Sequence, residues 1–261
     1  MTVGHLVLVE RRDAVRILTF NRAEKLNALS TTMLEELERA LDDAREDEAM
    51  RVVILTGAGD RAFVAGADIG EYAEQTDEAF DAFQRTCRRI FDAIDAFPKP
   101  VIGAVNGYAL GGGFEIALCC DVLIASTTAR FGLPEGRLGL SPGGGGTQRL
   151  TRAAGPFAAA DVLLSARRLT AEEALGAGIV AEVVEPDELL DAALAKAGAI
   201  AEGAPLAVRE MLELVRVAMD TPMAEGLDRE HQALLRLRRT ADAAEGVRAF
   251  VEKREPRFEG R

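Results

Sequence analysis

Two glutamates, Glu115 and Glu135, stand twenty positions apart, each in glycine-rich or turn-forming surroundings rather than on an ordinary solvated face. The first closes the run Asn106-Gly107-Tyr108-Ala109-Leu110-Gly111-Gly112-Gly113-Phe114-Glu115, and the second lies in Phe131-Gly132-Leu133-Pro134-Glu135-Gly136. A carboxyl in an apolar, backbone-dense pocket has its pKa moved toward the working pH, which suits it to proton transfer. Histidine offers little competition: His5 and His231 both lie outside the glycine-rich segments. The chain also has no Gly-x-Ser-x-Gly elbow. Nucleophilic hydrolysis is therefore unsupported, and acid–base work falls to the carboxylates.

The segment Gly107 to Gly113 follows a buried-strand pattern and precedes the apolar helical pattern Phe114 to Cys120. Unpaired N–H groups at a helix start stabilise negative charge developing on a ligand oxygen, so one donor to an oxyanion would come from here. Spacing alone leaves a plainer reading open, in which the glycines allow tight helix–strand packing and Glu115 is a first-turn acid that favours the helix dipole. A second small-residue loop, Ala62-Phe63-Val64-Ala65-Gly66-Ala67-Asp68-Ile69, would bring another backbone N–H to the same ligand. A third stretch, Leu140 to Arg149, carries Gly143-Gly144-Gly145-Gly146 but lacks the Gly-Lys-Ser/Thr ending of a phosphate loop. It reads as a turn opening a helix, with Pro142 near the first helical position.

The elements that must position these groups alternate between short β-branched runs and amphipathic stretches, which predicts an α/β architecture. Strands are expected at Val15–Phe20, Val52–Thr56, Val101–Val105 and Val122–Ala125, several of them apolar on both faces and therefore buried. A helix after the first carries Met33, Leu34, Leu37, Leu41 and Ala44 on one face, with Thr32 and Glu35 as a capping box. Phe80, Phe83, Cys87, Phe91 and Ile94 share helical spacing and read as core. Thr170 with Glu173 caps another helix that Gly176 and Gly178 end, and Ile179 to Val184 follows as a strand. After Pro186 the pattern is helical throughout. The expected organisation is an α/β core over residues 1–195 and a C-terminal helical subdomain over 196–261, whose apolar stripes pack within the chain or against another subunit.

At 261 residues with 48% apolar content the chain can bury a full core, and a net charge of −12 repels nucleic acid and anionic membranes. An anionic ligand would need local basic groups or backbone N–H donors. The three cysteines match neither a disulfide framework nor metal-ligand spacing and read as buried thiols. The N-terminus has no secretory pattern and the longest uncharged stretch, Pro100 to Phe114, is too short and glycine-rich to span a bilayer. A cytoplasmic protein is expected.

Five ordered blocks stand out: Asn21 to Leu29, Ala65 to Ile69, Lys99 to Glu115, Pro134-Glu135 with Gly143 to Leu150, and the ending Phe250 to Arg254. Taken together, they resemble the enoyl-CoA hydratase/isomerase family, the crotonase superfamily, over essentially the whole chain. The resemblance implies a spiral of repeated ββα units and a C-terminal helical part that packs in trimers, commonly paired into hexamers. It implies an acyl-CoA thioester substrate whose thioester oxygen is held by the backbone N–H groups of Ala67 and Gly112. The adenine end of CoA would lie near Lys25, Leu26, Ala65, Asp68 and Ile69. Glu115 would orient and deprotonate the water that adds at Cβ, and Glu135 would supply the proton to Cα. The implied enzyme is a carbon–oxygen lyase of β-oxidation type that needs no metal and no cofactor beyond the CoA of its substrate. Phe114, Leu133 and Gly136-Arg137 depart from common members and bear on acyl-chain preference. The loop Glu71 to Thr86 is the expected selectivity element. Other expected possibilities are enoyl-CoA isomerisation, which needs one shuttling glutamate, another acyl-CoA reaction, and a non-catalytic binding protein. Both glutamates favour hydration, and the acidic charge opposes RNA binding.

Overall fold

The computed structural model describes residues 4–73 and 75–261. Met1, Thr2 and Val3 of the amino-terminal stretch and Glu74 of the Glu71–Thr86 segment lie outside the described residues. The chain starts with β1 (Val7–Arg12) and β2 (Val15–Phe20), paired antiparallel, followed by α1 (Thr31–Glu46). One unit then repeats: a long strand, a short strand and a helix. β3 (Val52–Gly57) and β4 (Ala62–Val64) lead into α2 (Ile69–Tyr72) and α3 (Asp77–Asp95). β5 (Val101–Val105) and β6 (Tyr108–Leu110) lead into α4 (Gly112–Ala117). β7 (Val122–Ser126) and β8 (Arg130–Gly132) lead through a 3-10 turn at Pro134–Leu138 into α5 (Gly146–Ser165). β9 (Leu169–Thr170), α6 (Ala171–Gly176) and β10 (Glu182–Val184) follow. The chain then continues as α7 (Leu189–Ala201), α8 (Pro205–Val217), α9 (Met223–Leu237) and α10 (Ala241–Glu252).

The long strands and the short β10 form one sheet in the order β1-β2-β3-β5-β7-β10, and the other short strands form a second in the order β4-β6-β8-β9. β3, β5 and β7 run parallel, as do β4, β6 and β8. Each repeat thus advances one place in both sheets at once, which is the spiral of ββα units that the resemblance implies. The inner strands β2, β3, β5 and β7 are buried on both faces, as their apolar runs require, whereas β1 at the sheet edge is exposed beyond Val7. Leu18, Val53, Leu55, Val101 and Val105 face α1, α3 and α4, while Ile17, Ile54, Ile102 and Ile124 face Leu189, Ala193 and Ala197 of α7.

Local chemistry sets several boundaries differently from the sequence expectation. α1 is capped by Ser30, whose Oγ accepts from the Met33 amide at 3.2 Å, so the cap precedes the expected Thr32. A serine in extended backbone just ahead of the apolar face satisfies the same orphan amide from an earlier position. α5 begins at Gly146, beyond Pro142, because Gly145 takes a left-handed conformation (φ 107°) that a helix interior cannot hold. The strand expected from Ile179 shortens to Glu182–Val184. The Thr170–Glu173 capping box forms as expected.

α8 and α9 bury little against the rest of the chain, with Ala233 the only described residue of either that is buried. Their tether is polar. Arg216 Nε and Nη2 donate to Asp121 Oδ1 at 3.0 and 2.8 Å, Nη1 donates to Phe97 O at 2.7 Å, and Asp121 Oδ2 accepts from the Val101 amide at 2.8 Å. Burial pushes the Asp121 carboxyl up and Arg216 holds it down. Arg216→Met strands that carboxylate, with an expected loss of about 3 kcal/mol in folding stability. Urea unfolding checks it: the midpoint should drop, and pairing the change with Asp121→Asn should restore part of the loss. An unchanged midpoint for Arg216→Met would mean the clamp contributes nothing.

Candidate active site

The loop after β4, the turn into α4 and the 3-10 turn after β8 converge on a cavity of about 380 Å³. Because the repeats stack in register, the loops leaving β4, β6 and β8 open at the same edge of the second sheet. Ala65, Ala67, Ile69, Gly112, Glu115 and Glu135 all border this cavity. Residues twenty and more positions apart in sequence are thereby brought to one space.

Glu115 lies on α4 and is 4% exposed. Its Oε1 accepts two backbone hydrogen bonds, from the Gly144 and Gly146 amides, each at 2.8 Å. Burial pushes its pKa up, while those two amides and the nearby Arg149 guanidinium hold it down. The carboxyl group is thus oriented by one oxygen. A Cβ on Gly144 would lie 2.8 Å from Glu115 Oε2 and 2.4 Å from the Phe91 ring, so only glycine allows this approach.

Glu135 sits in the first turn of the 3-10 segment, and among the described residues its buried Oε2 has no hydrogen-bond partner. Desolvation is the main cause that raises its pKa to about 7, with the negative charge of Glu115 adding to it. A carboxyl held at that value is protonated in about half of the molecules at neutral pH. Gly111 beside it adopts φ 52°, ψ −127°, open to glycine alone. A Cβ there would also lie 3.0 Å from Glu135 Oε1.

The two candidate oxyanion donors are backbone groups. Gly112 is the first residue of α4, where helix geometry gives an amide no intrahelical acceptor. Ala67 bridges Leu29 through its neighbours: the Leu29 amide donates to Gly66 O and the Asp68 amide to Leu29 O, both at 2.8 Å. That exchange leaves the N–H of Ala67 facing away from the bridge.

The remaining candidates divide: Ala65 and Ile69 border the cavity, and Lys25, Leu26 and Asp68 do not. The Ala65 amide donates to Leu26 O at 3.0 Å, joining two of the matched segments. Asp68 caps α2 through Gly70 and pairs with Arg22 at 2.7 Å, and Lys25 is exposed at the end of its own 3-10 turn.

Sequence reasoning missed part of the wall. Phe80, Phe83 and Phe91 of α3 border the cavity with Leu29, Leu138 and Leu140, although their helical spacing read as core alone. A helix face that closes a cavity has the same periodicity as one that packs solidly. Much of the expected Glu71–Thr86 loop is α3, and it contributes Phe80, Phe83 and Gln84 to that wall. Phe114, expected to bear on acyl preference, is fully buried and packs on Phe131 with ring centroids 5.3 Å apart. One helical position before Glu115 points elsewhere. Cys87 also borders the cavity, its thiol pushed up to about 12 by burial and by Glu115, so it stays protonated. The glycines at 144 and 146, read as a helix-opening turn, supply both amides to Glu115.

A family model described as enoyl-CoA hydratase/isomerase matches residues 10–261. The chain is 41% identical over 248 residues to a short-chain-enoyl-CoA hydratase of Clostridium acetobutylicum, covering 95% of each. It is 42% identical over 255 residues to a 2,3-dehydroadipyl-CoA hydratase of Escherichia coli, covering 98% of this chain and 99% of that one. A crystal structure of an enoyl-CoA hydratase from Bacillus anthracis superimposes with a TM-score of 0.96 at 39% identity, covering 98% of this chain and 100% of that one.

Proposed function

The chain belongs to the enoyl-CoA hydratase/isomerase family, and from that premise we propose that it adds water reversibly across the trans-2 double bond of an enoyl-CoA thioester, giving the 3-hydroxyacyl-CoA. The observation that carries this reading is a pair of carboxyls on one cavity in different surroundings: Glu115 anchored by two amides, Glu135 desolvated with a pKa of about 7. Environments that differ in this way suit one carboxyl to act as base while the other acts as acid. Isomerisation needs one carboxyl to carry a proton between two carbons. Water addition needs a base for the water and an acid for Cα, which fits the pair.

In this mechanism the thioester oxygen accepts from the amides of Ala67 and Gly112, which draws electron density from Cβ. Water, held by the free oxygen of Glu115, attacks Cβ as its proton passes to that carboxylate. The π electrons move onto the thioester as an enolate, stabilised by the same two amides, and Cα then takes the proton of Glu135. Removing one such amide donor costs about a hundredfold or more in rate. The products are 3-hydroxyacyl-CoA, protonated Glu115 and ionised Glu135, and return of the proton resets the pair. No step draws on a metal or redox group.

Lys25, Leu26, Ala65, Asp68 and Ile69 are the proposed contacts for the adenine end of CoA. The Ala65–Leu26 hydrogen bond and the exposed Lys25 ammonium support that assignment on a chain of net charge −12. Residues 196–261 form the proposed helical subdomain, and a trimer or a dimer of trimers is the proposed assembly. Val215, Met219, Met223 and Phe250 are between 72% and 85% exposed, more apolar surface than isolated helices of a monomer usually show. Among the described residues, no helix is long and apolar enough to cross a membrane.

Loss of conjugated-thioester absorbance on mixing with crotonyl-CoA, with the hydroxyl confirmed by mass, tests the activity. Rapid loss with gain of one water is the expected result. A longer trans-2-enoyl-CoA run alongside reports how far Phe80, Phe83 and Phe91 limit the acyl chain. Unchanged substrates with intact CoA-thioester binding would overturn hydration.

A further inference from the structure

We propose that Arg149 is a positioning residue that fixes Glu115 through the Gly144–Gly146 turn and tunes the proton affinity of that carboxyl. Its kinetic consequence rests on the hydratase reading above, whereas its geometry does not. The turn that gives two amides to Glu115 Oε1 is itself held from behind. Arg149 Nη1 donates to Gly144 O at 2.7 Å, so one residue contacts the carboxylate through its N–H and the guanidinium through its carbonyl. Nη2 donates to Asp92 Oδ1 at 3.0 Å and Asp95 Oδ2 at 3.1 Å, both on α3. That helix also supplies Cys87 and Phe91 to the cavity wall. The guanidinium therefore ties the turn to the wall it faces.

The turn is shaped around this side chain. A Cβ on Gly145 would lie 2.2 Å from Arg149 Nη1, so the guanidinium fills the space a side chain there would need. With its side chain 15% exposed, Arg149 acts through solvent-poor surroundings where charge is weakly screened. A planar fork can reach the carbonyl with one nitrogen and the two carboxylates with another, and a lysine ammonium cannot match that geometry. The ionisable groups around Glu115 are Glu135 across the cavity, Cys87 on α3, Cys119 just past the end of α4, and Arg149, backed by Asp92 and Asp95. Arg149 is the cation of this set. Its charge favours the ionised form of Glu115, while its hydrogen bond favours the turn geometry that orients the carboxylate.

The two contributions separate in two variants. Arg149→Met removes both: kcat for crotonyl-CoA should fall about a hundredfold, as for an ångström-scale misplacement of a reacting group. The acid limb of the kcat/KM profile should move to higher pH, since Glu115 must be ionised to accept the proton of water. Arg149→Lys keeps the charge and loses the fork, so kcat should fall while the acid limb stays near that of the parent enzyme. KM should change by no more than a few-fold in both. A purely structural role would lower active-enzyme concentration and leave the pH profile in place, and an unmoved acid limb in Arg149→Met would overturn the proposal. Parental kcat in Arg149→Lys would overturn the positioning half. Should Arg149→Met not fold, Asp92→Asn with Asp95→Asn frees the guanidinium from its anchors at a half-exposed surface. Lowered kcat is then expected, and parental kcat refutes the tie. Carboxyl titration of Glu115 by isotope-edited infrared spectroscopy needs no turnover: a raised Glu115 pKa in Arg149→Met is expected even if the parent hydrates nothing. Parental kinetics thus judge the hydratase reading and the titration judges Arg149.

Discussion

Glu115→Gln is expected to lower kcat for crotonyl-CoA hydration about a thousandfold, within the range for loss of a general base, with KM changed by a few-fold at most. The substitution is clean for a geometric reason. A glutamine carbonyl oxygen can still accept from the Gly144 and Gly146 amides at the place of Oε1, so the side chain stays where it is. The group left toward the cavity becomes an amide, which cannot take a proton from water. What is lost is proton transfer, worth about 4 kcal/mol of barrier at a thousandfold, and CoA-thioester binding should persist. Single-turnover kinetics with an equilibrium binding measurement would separate the two. A kcat within tenfold of the parent would remove Glu115 from the role of base.

The companion change, Glu135→Gln, should cost a similar factor but with two further signatures. The first concerns pH. Hydration starts with Glu115 ionised and Glu135 protonated, and dehydration starts with the reverse, so both directions use enzyme carrying one proton on the pair. The kcat/KM profiles for the two directions should therefore share one bell, falling at high pH as the last proton leaves near the Glu135 value of about 7. Different bells for the two directions would contradict a pair that exchanges a single proton. The second signature concerns stability. Burial raises the folded pKa of Glu135 from 4.5 to about 7, so its ionisation is opposed in the folded state. For an acid raised in this way, stability is greatest below the unfolded pKa and declines as pH climbs from about 4.5 to about 7. Glu135→Gln removes that decline. The variant should be less active yet more resistant to urea at pH 8 than the parent, with the gain vanishing near pH 4. Equal or lower stability at pH 8 would argue that the parental carboxyl is not held against ionisation.

How much of this was legible in the sequence differs from one group to the next. Glu115 and Glu135 stood out in the sequence as candidates because both lie in glycine or proline turns and histidine was too scarce to take their place. Ala67 and Gly112 entered as candidates only through the matched blocks, since a backbone amide has no signature of its own in a side-chain sequence. Arg149 was spelled out in its block, yet nothing in the run Gly143 to Leu150 indicates that its guanidinium closes on a turn five residues earlier and on α3. The aromatic wall stayed hidden because Phe80, Phe83 and Phe91 obey helical periodicity whether they meet solid core or open cavity. The short strands β4, β6, β8 and β9 escaped because runs of two or three residues carry no measurable alternation, and their pairing partners lie far along the chain.

By itself, the sequence determined the α/β alternation, the doubly buried long strands, the helical C-terminal region and the residue types able to move protons. These follow from local pattern, where the period of apolar residues and the placement of glycine act over a few positions. The tertiary structure alone decided that Glu115 is anchored by amides twenty-nine and thirty-one residues away, and that Glu135 across the cavity is desolvated, its Oε2 without a hydrogen-bond partner among the described residues. It also decided that Arg149 braces the turn between them and α3. Proton affinity and orientation depend on the field and the hydrogen bonds at a point in space, and only the packed chain brings those groups to that point.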